Sequence, residues 1–325
     1  MKIKIEKRPI PLRSPFVITG HTFRSADTIQ VTLEDESHVG RGEALGVYYN
    51  NETMDSMQSQ LQEVSANLTA DTSADQIQSL LPPGGARNAL DCALWDLQAK
   101  RSGISIWKRL KITPKPLATV ATIGIDSPEA MASAALTYMK YTHLKIKLSS
   151  DEPITKLEAI RKARPAAKLI VDVNQGWSFE ELKEYVPVAA KLGVAMIEQP
   201  LVRGMDEMLE GYRSRVPLGA DESCLDSSEY ATAARRYDVI NIKLDKCGGL
   251  TEALKIVKLA ERDGKGLMVG NMTGSSLSMA PAYVIGQFCQ FVDIDGPLFL
   301  KEDIEHALDY GDGGMVSIPS ASLWG

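Results

Sequence analysis

His143-Leu-Lys-Ile-Lys147, Leu169-Ile-Val-Asp172, Val194-Ala-Met-Ile-Glu198, Leu218-Gly-Ala-Asp221 and Val239-Ile-Asn-Ile-Lys-Leu-Asp-Lys246 are five short apolar runs, each closing on a charge. The closing charges lie 25, 26, 23 and 25 positions apart. Roughly 25 residues is the space that one strand, one helix and two short loops occupy. A charge kept at the same place in five successive units marks a site.

Three further runs, beginning near Ala118, Gly266 and Phe291, bring the strands to eight. Eight such units need about 200 residues, the size of a (β/α)8 barrel, whereas an open doubly wound sheet more often stops at five or six strands. The chain is therefore expected to be α/β, with a closed (β/α)8-type barrel beginning after Pro114 and Pro116. Ahead of it, Asp27-Thr-Ile-Gln-Val-Thr-Leu33 alternates like a strand and Ser37-His-Val-Gly-Arg-Gly42 supplies breakers. Helical spacing then covers residues 51–70 and 73–81, followed by Ala86–Arg101. There Ala89, Leu90, Ala93, Leu94 and Leu97 form one stripe, with Arg87, Asp91, Asp96 and Lys100 mainly off it. The first third reads as α+β.

With 325 residues, 44% apolar and 24% charged, the chain has the composition of a globular protein. A net charge of −6 without a basic run argues against nucleic acid, because phosphate binding needs clustered Lys and Arg. The opening Met1-Lys-Ile-Lys-Ile-Glu-Lys-Arg-Pro9 lacks the apolar core of a signal peptide, and no apolar run approaches a membrane span. Cys92, Cys224, Cys247 and Cys289 lie far apart without metal-ligand spacing, which suits reduced thiols in a cytoplasmic enzyme. Small molecules are the expected partners, and a homo-oligomer is left open.

In a barrel of this kind catalytic groups sit at the C-terminal ends of the strands. Asp172, Glu198 and Asp221 end strands three, four and five, so three carboxylates share one arc of the mouth. All-oxygen ligands suit Mg²⁺, one per subunit; Zn²⁺ would usually recruit His or Cys. Lys147 and Lys246 end strands two and six, four apart in a ring of eight, and are expected to face each other across the mouth. A substrate carboxylate on the metal would then place its α-carbon between two amines, one removing a proton and the other returning it. Acid–base catalysis contributes only ~10²–10⁴-fold, so the rest must come from metal stabilisation of the enediolate. Lys145, on the same strand face as Lys147, either favours the neutral form of that base or is a structural cation paired with a carboxylate.

Lys145-Ile-Lys147, Asp172-Val-Asn174, Glu198-Gln-Pro200, Ala220-Asp-Glu-Ser223 and Lys243-Leu-Asp-Lys-Cys-Gly-Gly249 together resemble the enolase superfamily, muconate-lactonizing-enzyme subgroup. The resemblance implies a modified TIM, (β/α)7β, barrel over residues 114–302. It also implies an N-terminal α+β capping domain, residues 1–113, completed by about 303–325. Within the subgroup, Asp293-Ile-Asp295 at the end of strand eight favours a dipeptide, because two acids suit a substrate ammonium and similar dipeptide epimerases use this pair for the N-terminal amine. Arg24, in the loop Gly20-His-Thr-Phe-Arg-Ser25, resembles the arginine that holds a glutamate side chain in L-Ala-D/L-Glu epimerases of murein peptide metabolism. Thr122, near the end of strand one, is expected to touch the substrate. The rivals are N-succinylamino acid racemase or o-succinylbenzoate synthase chemistry, and a metal-stabilised scaffold without catalysis. The loop Gly46-Val-Tyr-Tyr-Asn50 fits no specificity pattern.

Overall fold

The structure is a computed structural model that describes residues 1–18, 21–36 and 38–325. Strands β1 (Lys2–Ile18), β2 (His21–Asp35) and β3 (His38–Leu45) form an antiparallel sheet in that order. Helices α1 (Met54–Ser65) and α2 (Ala74–Leu80) each begin at a capping box, Thr53 with Ser56 and Ser73 with Gln76, which satisfies two otherwise orphaned backbone donors apiece. Helix α3 (Gly85–Ser102) lies across the sheet, with Leu90, Leu94 and Leu97 packed against Ile29, Val31 and Leu33.

That packing needs glycine at its centre. A methyl on Gly42 would lie 2.1 Å from the Ala89 carbonyl oxygen and 2.7 Å from the Ala93 nitrogen. Gly42→Ala is expected to cost about 1–3 kcal/mol, read as a lower denaturation midpoint. Three polar residues of α3 off the stripe do not face water: Arg87, Asp91 and Asp96 are buried. The Arg87 guanidinium donates to the Cys247 and Gly248 carbonyls, Asp91 accepts from Thr251, and Asp96 accepts the Gly325 amide at 2.7 Å. Each apolar-stripe neighbour thus becomes a tie from the cap to the barrel or to the chain's end.

After α4 (Ile106–Leu110), the two-residue strand β4 (Leu117–Ala118) pairs antiparallel with β13 (Met315–Val316). The first barrel strand therefore starts later than Ala118. The barrel runs β5 (Ala121–Ile123), β6 (His143–Lys147), β7 (Lys168–Asp172), β8 (Val194–Glu198), β9 (Leu218–Ala220), β10 (Val239–Ile242), β11 (Gly266–Val269) and β12 (Phe291–Val292), parallel and in chain order. The Val120 amide donates to the Val292 carbonyl at 3.0 Å and brings the two ends of the sheet together.

The connecting helices are α5 (Pro128–Thr137), α6 (Pro153–Ala163), α7 (Phe179–Lys191), α8 (Tyr230–Arg236), the short α9 (Leu244–Cys247), α10 (Leu250–Asp263) and α11 (Ser276–Gly286). Between β8 and β9 the described residues form only a 3-10 turn, Glu207–Leu209. Alternation divides the strands cleanly. Leu144, Ile146, Leu169, Val171, Ile197 and Ile240 pack outward against the helices, while Val120, Ile170, Met196, Val239, Met268 and Phe291 fill the barrel floor.

Cap and barrel also meet at Glu43, which accepts from the Ser275 amide (2.8 Å) and hydroxyl (2.9 Å) at the start of α11. Burial pushes the Glu43 carboxyl up to about 7, against relief from those two donors. The unfolded chain releases this proton near 4.5, whereas the folded chain holds it to about 7. Stability from this group is therefore present at low pH and lost as pH rises through that span. Glu43→Gln should flatten the dependence, measured by chemical denaturation at several pH values. No helix among the described residues is long and apolar enough to cross a membrane.

Candidate active site

The same alternation that builds the barrel floor aims the charges. Ile170 and Asp172, Met196 and Glu198, Val239, Asn241 and Lys243, and Lys145 with Lys147 share the inward face of their strands, in register Lys147↔Asp172↔Glu198. All are buried.

Lys145 is the hub. Its ammonium lies 3.0 Å from Asp172 Oδ2, 2.8 Å from Glu198 Oε2 and 2.8 Å from Asp293 Oδ2. Burial alone would lower the Lys145 pKa, but the carboxylates of Asp172, Asp293 and Glu198 outweigh it and hold the amine well above its ordinary range. Of the two readings offered by sequence, the structural cation is the one that the geometry supports. Asp293 follows the last barrel strand, β12, four strands round the ring from the β8 that carries Glu198, and the barrel interior is narrow enough at this level for one ammonium to touch both sides. Asn271 donates to Asp293 Oδ1 at 2.9 Å, and the Thr122 amide donates to Asp295 Oδ2 at 2.8 Å. Burial first, then the neighbouring Asp293 charge, raises Asp295 to about 8.

Lys147 donates to Asp172 Oδ2 (2.7 Å) and to Asn174 Oδ1 (2.9 Å), and it lines a cavity of about 50 Å³. The lysine that shares this cavity is Lys243, not Lys246. Lys243 follows the last residue of β10, 2.6 Å from Asp221 Oδ2. Asp221, with the other acids, holds its amine above the ordinary range despite burial. Lys246 sits on α9 with its ammonium enclosed by Asp221 Oδ1 (2.5 Å) and the carbonyls of Asp221 (2.6 Å), Asn241 (3.0 Å) and Cys224 (3.3 Å). The interval of 25 chose Lys246 by carrying the strand past its end. Parity finds Lys243, because Val239, Asn241 and Lys243 alternate with Ile240 and Ile242.

The roof of the cavity is aromatic. Phe16, Phe23 and Tyr48 close it from the cap, with His21 against both Phe23 (4.3 Å) and Tyr48 (4.9 Å). Tyr48 and Tyr49 belong to the segment whose sequence fitted no pattern. Arg24 was expected in a loop over the mouth; Gly20 of that loop lies outside the described residues, and His21–Ser25 belong to β2, paired with β1 through Phe16↔Phe23. Since neighbours on a strand point to opposite faces, Phe23 covers the cavity and Arg24 stands exposed and outside it. In this structure its side chain therefore does not line the reaction cavity.

The acids test whether a cation fits. Glu198 Oε2 and Asp221 Oδ2 are buried and accept no hydrogen bond, although ammonium groups lie within ion-pair distance of both. Asn241 donates to the other Glu198 oxygen at 2.6 Å. Coulombic attraction to Lys145 and Lys147 outweighs burial at Asp172 and holds it down to about 2, while burial and the Asp172 charge raise Glu198 to about 8. The acids do not stand as a ready cage: among the described residues no three Asp, Glu, His or Cys side chains are close enough together to hold a metal. Lysine ammonium groups lie against them instead. An all-oxygen set with two oxygens lacking hydrogen bonds nonetheless fits a hard cation in chemistry.

The match to known proteins covers nearly the whole chain. Residues 1–110 match the mandelate racemase/muconate lactonizing enzyme N-terminal domain, and residues 129–322 the enolase C-terminal domain-like family. The chain is 39% identical over 316 residues to the L-Ala-D/L-Glu epimerase of Escherichia coli (strain K12), covering 96% of this chain and 98% of that one. It is 38% identical over 299 residues to the N-acetyl-D-glutamate racemase of a Pseudoalteromonas species, covering 91% and 95%. A crystal structure of an enolase family member from Agrobacterium tumefaciens, with homology to dipeptide epimerases and with bound sodium and L-Ala-L-Glu, superposes with a TM-score of 0.96. The two are 38% identical, and 99% of each chain is covered. Barrel, cap and the ordered ring of lysines and acids make this chain a member of the enolase superfamily, in its mandelate racemase/muconate lactonizing enzyme branch.

Proposed function

We infer that the chain is a Mg²⁺-dependent dipeptide epimerase that inverts the α-carbon of the C-terminal residue, with L-Ala-D-Glu and L-Ala-L-Glu as its substrates. The observation that carries this is the pair of amines, Lys147 and Lys243, four strands apart on the ring and lining one cavity. One removes the α-proton and the other delivers a proton to the opposite face, with the roles exchanged for the other epimer. Asp172 and Asn174 orient Lys147, and Asp221 orients Lys243. Asp172, Glu198 and Asp221 would hold the cation, which supplies Lewis-acid stabilisation of the developing charge and competes with the ammonium groups for the acid oxygens. Asp293 and Asp295 receive the substrate ammonium, with Thr122 fixing Asp295, and Lys145 balances the charge beneath them. Murein peptides are the source of substrate, and the free thiols suit a cytoplasmic setting.

Incubating L,L-dipeptides with the protein and Mg²⁺ in deuterated water tests the reading. L-Ala-L-Glu should gain one deuteron at the glutamate α-carbon. No mass shift on any dipeptide, together with thermal stability that rises with Mg²⁺, would instead identify a binding scaffold. A second reading, racemisation of an N-acylated amino acid, is favoured by the likeness to the N-acetyl-D-glutamate racemase. It separates from the first through Asp293→Asn, which should spare N-acetylglutamate but slow every dipeptide.

A further inference from the structure

Asp293 and Asp295 lie just past β12, and partners from four parts of the chain fix the stretch between them. The Asp293 amide donates to the Val269 carbonyl (2.9 Å) and the Ile294 amide to the Thr119 hydroxyl (3.0 Å), while the carbonyls of Asp293 and Ile294 accept from Asn271 (2.9 Å) and from the Tyr310 hydroxyl (2.7 Å). Of these four, Asn271 also touches the carboxylates and lines the reaction cavity. Its Nδ2 donates to Asp293 Oδ1 at 2.9 Å and lies 3.4 Å from Asp295 Oδ1. The other two carboxylate oxygens are met elsewhere, Asp293 Oδ2 by Lys145 and Asp295 Oδ2 by the Thr122 amide, both at 2.8 Å. One carboxamide is thus shared by both acids, on the oxygens that Lys145 and Thr122 leave.

The orientation of that carboxamide is fixed from both sides. Its Oδ1 accepts the Thr273 amide at 2.8 Å, a group that can only donate, and its Nδ2 meets the Asp293 carbonyl, which can only accept. The Thr273 contact needs an unusual backbone: this β-branched residue has φ +72°. Such a conformation persists only where the surroundings over-determine it, and here the loop is gripped at both ends. Asn271 holds its start. At its far end Glu43 accepts from the amide and hydroxyl of Ser275, and Asp303 accepts from the amide (2.8 Å) and hydroxyl (2.6 Å) of Ser276. Between the two grips, a methyl on Gly296 would lie 2.9 Å from the Gly274 nitrogen and 3.0 Å from Asn271 Oδ1, so the loop rests directly on the turn after Asp295. The acid pair has need of such a donor, because burial, then the charge of Asp293, raises Asp295 to about 8. An uncharged N–H group on the inner oxygens favours the ionised pair without neutralising it, and the negative charge stays available to a cation.

We propose that Asn271 is a positioning residue: it holds the carboxylates of Asp293 and Asp295 in the geometry that takes the substrate ammonium, and so sets the affinity for the dipeptide and not the rate of proton transfer. This rests on the dipeptide reading above and adds a residue that the reading does not use. The experiment follows α-deuterium exchange of L-Ala-L-Glu by the full chain with Mg²⁺, in wild type, in Asn271→Leu, which keeps the size of the side chain without its amide, and in Asn271→Ala, which removes the amide without adding atoms. Each variant should raise KM by about tenfold or more and keep kcat within about threefold. Melting midpoints supply a readout without turnover: the rise on adding the dipeptide should shrink in both variants, and the rise on adding Mg²⁺ alone should match wild type. A KM unchanged in either variant, a kcat that falls as far as KM rises, or a loss of the Mg²⁺ effect equal to that of the dipeptide would overturn the role of Asn271 alone. If wild type exchanges no dipeptide, the epimerase reading falls and takes this one with it.

Discussion

Methionine at Lys243 is expected to slow epimerisation by about 10²–10⁴-fold with the fold retained, whereas methionine at Lys246 should cost the fold itself about 3–5 kcal/mol. Both lysines touch Asp221, and sequence spacing alone favours Lys246. Lys243 has one acidic partner and an open face on the cavity; Asp221 keeps a second cation when it is removed. Lys246 has four acceptors and no open face, so its loss takes the ammonium donor from a buried carboxylate oxygen and three carbonyls, of which that of Asp221 keeps the Cys224 amide. Steady-state rates and denaturation midpoints of the two variants separate the roles. A Lys246→Met protein of normal stability and no activity would reverse the assignment.

Lys145→Met should destabilise the barrel by about 3–5 kcal/mol, as much as Lys246→Met, because one ammonium serves Asp172, Glu198 and Asp293. The sign of its pH dependence follows from what is left behind. Carboxylates without their cation gain stability by taking protons, so the penalty should be larger at pH 8 than at pH 5. Thermal melts of wild type and variant across pH measure it; a penalty that shrank as pH rose would mean that Lys145 is not held by these acids.

Much of this was legible before any coordinates, and the reason is periodicity. The runs at His143, Val194, Leu218, Val239, Gly266 and Phe291 begin strands where they were read, since each alternates with outward residues that must meet a helix. The acids follow because they sit at strand ends in neighbouring units. Lys243 was legible too, from parity within Val239–Lys243, but counting intervals hid it. The first strand was misplaced because Ala118 pairs with Met315, a partner nearly 200 positions away that no local pattern reveals. Arg24 was read in a loop because the distant strand pairing hid β2: His21–Ser25 belong to that strand, and Arg24 sits at the register shift between Pro11↔Ser25 and Phe16↔Phe23. The link from Lys145 to Asp293 depends on barrel width, which is not a property of any one segment.

Two amines flanking one α-carbon is the centre of the account, and epimer-resolved exchange tests it most directly. Single Lys147→Met and Lys243→Met proteins would be incubated with L-Ala-L-Glu and, separately, with L-Ala-D-Glu in deuterated water containing Mg²⁺, and α-deuteration followed by proton NMR. Each variant should exchange the α-proton of one epimer only, the two variants choosing opposite epimers. Exchange of both epimers by either variant would contradict it.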